Sequence, residues 1–269
     1  ASPDALLLQD LGTEPYARRR SSGELAKMLA RSLAHLHCQS RPHFSCYLEL
    51  RAGAGLPSPE EDVRRYGGPA YQSLFAMGRD FVLSRHELAC VRHEAASLAA
   101  EFDAVRKRIA DPGLFAALIH DDLGNARQTY EVGDALYLLD FETARWGHCL
   151  LDLTKPMLGK FERDMSNGNY IWTGSTCGMG LYHAYRSDCS EIYGLNFDDE
   201  TWGEGMATAL MFAGFALTGR LCRLETNRRL VGTVTQNLRR IYACLNDYLT
   251  DLGRMPATRK FIVQFLCEV

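Results

Sequence analysis

Leu118 to Ala144 reads LIHDDLGNARQTYEVGDALYLLDFETA, and this stretch decides how the other residues of the 269-residue chain are understood. An apolar run leads into His120-Asp121-Asp122. Two β-prone runs then flank a Gly133-Asp134 turn, and Asp140 follows ALYLL. The pattern predicts a β-hairpin whose two strands bring Asp122 and Asp140 close together. An aspartate after an apolar strand is also a common turn or cap residue. The chemical interest therefore lies in the pair, together with His120 and the DFE that follows. Phosphoryl transfer from ATP needs two such carboxylates, one to orient the attacking hydroxyl and take its proton, the other to hold Mg²⁺ against the phosphates. A hairpin fixes both on rigid backbone, which catalysis by positioning requires.

Around this stretch the periodicity is mostly helical. Ser21 and Glu24 have the spacing of a capping box opening a helix that carries Leu25, Met28, Leu29, Leu33 and Leu36, up to His37. Residues 40–70 are richer in Pro and Gly and read as a loop enclosing a short helix. Ser84 and Glu87 repeat the capping-box pattern, before Leu88, Val91, Ala95, Leu98, Phe102, Val105 and Ile109 mark an amphipathic helix of about six turns. Asp111-Pro112-Gly113 ends it. Beyond Asp152 the chain reads as helical almost to its end, with a long pattern from Trp202 to Leu224. A second stripe runs through Val234, Leu238, Ile241, Leu245, Tyr248 and Leu252.

Thirty basic against thirty-three acidic residues give a net charge of −3, which argues against a general nucleic-acid binder. Arg18-Arg19-Arg20 and Arg106-Lys107-Arg108 each flank a helix and read as solvated helix ends. The nine cysteines form no CxxC pair and no zinc-site spacing, which fits reduced, buried thiols in a cytoplasmic protein. The longest uncharged segment, Gly205 to Gly219, falls short of the roughly twenty residues that span a bilayer and reads as a buried helix, so no membrane partner is expected. His86, His93, His148 and His183 have no partners at metal-ligand spacing.

On HDDLGNAR and DFE the chain resembles the aminoglycoside phosphotransferases and choline-kinase-like enzymes, which share the protein-kinase-like fold. Their catalytic loop reads H-G-D-x-x-x-x-N, with D-F-[EDG] about eighteen residues after its aspartate, and the interval from Asp122 to Asp140 matches without a gap. LLLQDLG looks like the family's hinge segment, LARSLAHLH like its helix ending in A-x-L-H, and RWGHCLLDL like its G-x-P-x-x-D-L segment.

The resemblance implies an α+β, mostly helical fold: a kinase-like C-lobe with a small catalytic hairpin and extra substrate-binding helices. Residues 1–12 would be a hinge strand from an N-lobe supplied by sequence not present here, 13–153 the catalytic core, and 154–269 the helical substrate-binding part. It further implies Asp122 as catalytic base, His120 as the brace of the loop, Asp140 as the Mg²⁺ ligand and Asp152 as a structural anchor beneath the loop. Gln9, Asp10 and Leu11 would lie against the adenine of ATP, and a small-molecule hydroxyl would be the acceptor.

Two residues depart from the family pattern. Asp121 stands where glycine is usual, adding negative charge beside the base. Arg127 stands where the metal-binding asparagine is expected, and it offers no acceptor. Asn125, two residues earlier, is then the candidate second metal ligand. A glycine-rich phosphate loop is also missing, since RAGAGL (Arg51–Leu56) lacks the surrounding strands and lysine and reads as a flexible loop.

The acidic run holding Asp188, Asp198, Asp199 and Glu204 is a candidate for recognising a cationic substrate, although aspartates before Trp202 also suit a helix cap. Two other functions compete. One is a non-catalytic kinase-like binding module with a degenerate metal site, favoured by Arg127. The other is a metal-dependent hydrolase using Asp121, Asp122 and Asp140, which would need further ligands.

Overall fold

The computed structural model describes residues 22–55, 68–123, 129–132, 135–226 and 230–269. Within them the chain is mostly helical, with three two-stranded antiparallel ladders. The proposed hinge and the Arg18–Arg20 cluster lie outside the described residues. In chain order the first elements are helices α1 (Ser22–Ser40), α2 (Phe44–Gly53), α3 (Gly68–Leu83) and α4 (Ala89–Ala110). Strands β1 (Ala116–Ile119), β2 (Thr129–Val132), β3 (Ala135–Leu138) and β4 (Arg145–His148) follow, then α5 (Leu151–Leu158). A further hairpin, β5 (Lys160–Arg163) and β6 (Tyr170–Thr173), precedes α6 (Met179–Glu191), α7 (Asp199–Thr226), α8 (Val234–Asp251) and α9 (Pro256–Glu268).

The helical periodicities predict the buried faces of α1 and α8. Helix α1 buries Leu29, Leu33 and His37, with Leu25 and Met28 packed at the edge of the core. Helix α8 buries Val234, Leu238, Ile241 and Leu245, and opens with a capping box between Thr233 and Gln236. In α4, Val91, Leu98, Phe102 and Val105 are buried, whereas Ala95 is exposed. A kink at Glu94 (φ −123°, ψ 19°) shifts the register between Val91 and Leu98.

Several expectations are corrected. The Ser84–Glu87 capping box does not form: Ser84 donates its hydroxyl to the Phe81 carbonyl at the end of α3, Glu87 pairs with Arg85, and α4 starts at Ala89 without a side-chain cap. Arg51–Gly53 belongs to the end of α2, and only Ala54-Gly55 turns, Gly55 at φ +64°. The region after Asp152 is not uniformly helical, because α5 stops at Gly159 and the β5–β6 hairpin follows. All nine cysteines are free, but only Cys149, Cys177 and Cys189 are fully buried, while Cys46 and Cys267 are exposed.

Helix α3, which the periodicity did not reveal, packs lengthwise on α7. A Cβ on Gly78 would lie 2.0 Å from the Phe215 carbonyl oxygen, and one on Gly219 would lie 1.9 Å from the Leu74 carbonyl oxygen. The two backbones therefore touch, and a side chain at either glycine would force the axes apart. Helix α7 is long and apolar enough to cross a bilayer by length and composition, but its apolar stretch is 78% buried inside the fold. It is the central core helix.

His148, at the end of β4, is buried and stacked on Phe115 with ring centroids 5.0 Å apart. Burial lowers its pKa from 6.5 to about 3, and the nearby charge of His37 pushes the same way. Below pH 6.5 the unfolded chain takes up a proton at this ring that the folded chain refuses until about pH 3. Stability should therefore fall with pH across this window, by up to about 1.4 kcal/mol per pH unit from this group alone. His148→Phe keeps the stack and removes the titration. Its urea midpoint should decline less steeply below pH 6.5 than that of the wild type, and equal slopes would remove His148 as the cause.

Candidate active site

Strand pairing brings the two halves of the quoted stretch together. Strands β1 and β4 are antiparallel, in register from Ala116 opposite His148 to Ile119 opposite Arg145. The chain thus leaves the ladder at His120 and re-enters it at Ala144. The β2–β3 hairpin, with Val132 opposite Ala135, is an excursion between these neighbouring points. Ser32 of α1 holds that hairpin by donating to the Leu136 carbonyl.

His120 fastens the two segments. Its ring is fully buried, and Nε2 lies 2.6 Å from the Leu139 carbonyl oxygen. A carbonyl only accepts, so Nε2 carries a hydrogen, and buried Nδ1 has no partner among the described residues. The Thr143 hydroxyl donates to the His120 carbonyl at 3.0 Å, and the Phe141 ring lies against the imidazole at 4.7 Å. Asp122 and Asp140 each sit within two residues of one end of the His120–Leu139 bond.

Beneath the loop lies the buried carboxylate of Asp152. Its Oδ2 accepts the backbone N–H of His120 at 2.7 Å and His37 Nε2 at 3.0 Å, and its Oδ1 accepts the N–H of Asp121 at 2.8 Å. His37 Nδ1 meets the buried Tyr185 hydroxyl at 2.9 Å. Burial opposes ionisation of Asp152, but the hydrogen bond and charge of His37 with the two backbone donors outweigh it. The carboxyl sits below its usual range as a result.

Asp121 has φ +63°, a left-handed conformation that glycine adopts freely and aspartate tolerates better than most residues. Its carboxylate grips Arg145 at two points, Oδ2 to Nε at 2.8 Å and Oδ1 to Nη2 at 3.3 Å, with both side chains only 11% exposed. The charge expected beside the base is therefore neutralised by Arg145.

Asp122 is half exposed, and its Oδ1 accepts from Lys155 Nζ at 2.7 Å. The same ammonium donates to the Asp121 carbonyl at 2.9 Å. Sequence reasoning missed Lys155. The available signal was its spacing: Lys155 lies three residues after Asp152 on α5, so both side chains face the loop. Asp140 is exposed and left-handed (φ +67°, ψ +59°), and among the described residues its carboxylate has no hydrogen-bond or ionic partner.

Of the remaining candidates, those among the described residues do not converge on this place. Gln9, Asp10, Leu11, Asn125 and Arg127 lie outside the described residues. Asp188 lines a separate groove beside Arg31 and Tyr193, and burial raises its carboxyl. Asp198 accepts the N–H of Thr201 at the start of α7, Asp199 pairs with Arg186, and Glu204 pairs with Arg108. Among the described residues no three His, Cys, Asp or Glu side chains cluster as a metal cage. A magnesium–nucleotide site needs none, since Mg²⁺ keeps several waters and takes one or two carboxylates besides the phosphates. Asp140, without a partner among the described residues, fits that requirement. Comparison of the chain with protein-family models and with curated proteins gave no match.

Proposed function

We propose that the chain carries the catalytic C-lobe of an ATP- and Mg²⁺-dependent phosphotransferase acting on a small-molecule hydroxyl, with a kinase-like fold. The observation that carries this reading is the Asp152–His120–Leu139 connection, which joins the two aspartate-bearing segments through buried hydrogen bonds. Asp121, next to His120, and Asp140, next to Leu139, are both in left-handed backbone and also support it, because conformations of this kind gather at functional sites.

In this mechanism Asp122 orients the acceptor hydroxyl and takes its proton. Lys155 holds the Asp122 carboxylate in place and puts positive charge where the transferring phosphoryl group accumulates negative charge. Asp140 would hold Mg²⁺, which when bound neutralises the nucleotide phosphates. Asp152 and His120 keep the two segments in register, and Gln9 to Leu11 would contact the adenine.

The competing reading, a binding module without catalysis, is favoured by Arg127 in place of an acceptor. Calorimetry of ATP binding to the full-length protein separates the two. The phosphotransferase should bind ATP only with Mg²⁺, and Asp140→Ala should abolish that binding. ATP binding that persists without Mg²⁺ would instead favour a guanidinium contacting phosphate directly.

A further inference from the structure

Behind the 120–123 segment a recess runs between α5, α7 and α3, with Leu74, Leu123, Phe212 and Ala216 among its walls. It encloses about 690 Å³ of empty space including its open mouth, but only about 60 Å³ admits the centre of a water molecule. That is room for only a few waters, a slot and not a chamber. Its far wall is closed, since α3 and α7 touch backbone to backbone beside Leu74 and Gly219.

Besides the carboxylates of Asp121 and Asp152, four cations line the slot: Arg145, Lys155, Lys160 and Arg220. Three have carboxylate partners, namely Asp121, Asp122 and Glu162, the last at 2.8 Å from Lys160. Arg220 has none among the described residues. Its guanidinium carbon lies 5.6 Å from the centre of the Tyr170 ring, and the side chain is partly exposed. A guanidinium held against an aromatic ring keeps its in-plane N–H fork free for a planar anion.

We infer that this slot is the acceptor subsite, and that the acceptor is a slender, largely apolar hydroxy acid whose carboxylate meets Arg220. The inference rests on the phosphotransferase reading. It identifies the hydroxyl compound from three features: a narrow slot, largely apolar walls, and one lining cation without a carboxylate partner among the described residues. Asp121 and Leu123, the two neighbours of Asp122, line the slot, as does Lys155, which touches Asp122, so the slot reaches the segment that carries the base. An aminoglycoside-like cation suits this slot poorly, because its ammonium groups would meet Arg220, whose charge no carboxylate among the described residues offsets, while the slot's own carboxylates are already engaged. The acidic residues expected to receive such a cation are instead spread over other surfaces, and two of the four, Asp199 and Glu204, are paired with arginines.

The test is calorimetry on the full chain without nucleotide, comparing linear ω-hydroxyoctanoate with ω-aminooctanol, for the wild type and Arg220→Gln. The carboxylate should bind at least about tenfold tighter than the amine, and Arg220→Gln should erase that preference while its circular dichroism matches the wild type. Equal or tighter binding of the amine, no binding of either, or a preference that survives Arg220→Gln each overturns the inference. Adding MgATP to the full-length protein separates this outcome from failure of the parent reading. Phosphate transferred to an amino alcohol, but not to the hydroxy acid, would retain the phosphotransferase and discard the slot as its acceptor site. A hydroxy acid that binds through Arg220 and is never phosphorylated would discard the phosphotransferase, and the acceptor role with it.

Discussion

Asp122→Asn should lower phosphate transfer by the full-length protein roughly 10²- to 10⁴-fold, which is about 3–5 kcal/mol of transition-state stabilisation. The size follows from the role: an amide can still accept a hydrogen bond from the acceptor hydroxyl, but cannot take its proton. Folding should change little. The side chain is 51% exposed, and its ion pair with Lys155 is open enough to water to contribute at most about 1 kcal/mol. Kinetics at saturating ATP, with urea unfolding of both proteins as the control, give the answer. A mutant with wild-type turnover would take Asp122 out of the mechanism.

Asp152→Ala should cost about 3–5 kcal/mol of stability, a large part of the 5–15 kcal/mol that holds a typical domain folded. The penalty arises because the carboxylate serves three buried donors at once, the N–H groups of His120 and Asp121 and the Nε2 of His37. Deleting it strands all three in the buried interior. The pH dependence has a definite sign. Because the folded carboxyl is held below its usual range, its contribution is fully present above the ordinary aspartate pKa and is lost as pH falls through the folded value. The wild type should therefore converge on the mutant in acid. Urea titrations at neutral and acidic pH test both parts, and a neutral-pH loss under about 1 kcal/mol would show that the donors find other partners.

Local patterns in the sequence made some of this structure legible. The Gly133-Asp134 pair marked the β2–β3 connection, because only two residues separate Val132 from Ala135. The stripe from Val234 to Leu245 marked α8, because an amphipathic helix shows its buried face as a period. Helix α3 left no such trace. Its approach to α7 depends on glycine, and a glycine reads in sequence as a break rather than a contact. Ser84 and Glu87 misled because serine also suits the end of a helix, where its hydroxyl can bond back to a carbonyl.

In the candidate site, the spacing of His120, Asp122 and Asp140 was visible, whereas the partners that organise them were not. Arg145 and Lys155 reach Asp121 and Asp122 from β4 and α5, and no local pattern links residues so far apart. Strand β4 itself, RWGH, is too short and polar to announce that it pairs with β1.

The bonds to Asp152 have a consequence for how the site comes into being. They join positions 115, 32 and 31 residues apart along the chain, so none can form from a local segment. Closing such loops costs chain entropy before any bond repays it, which places the organised site late in folding, after α1 has met α5. During synthesis it cannot exist until Asp152 has left the ribosome and found His37. A peptide of residues 118–144 would contain every letter of the motif and lack the buried carboxylate that gives those letters a shape.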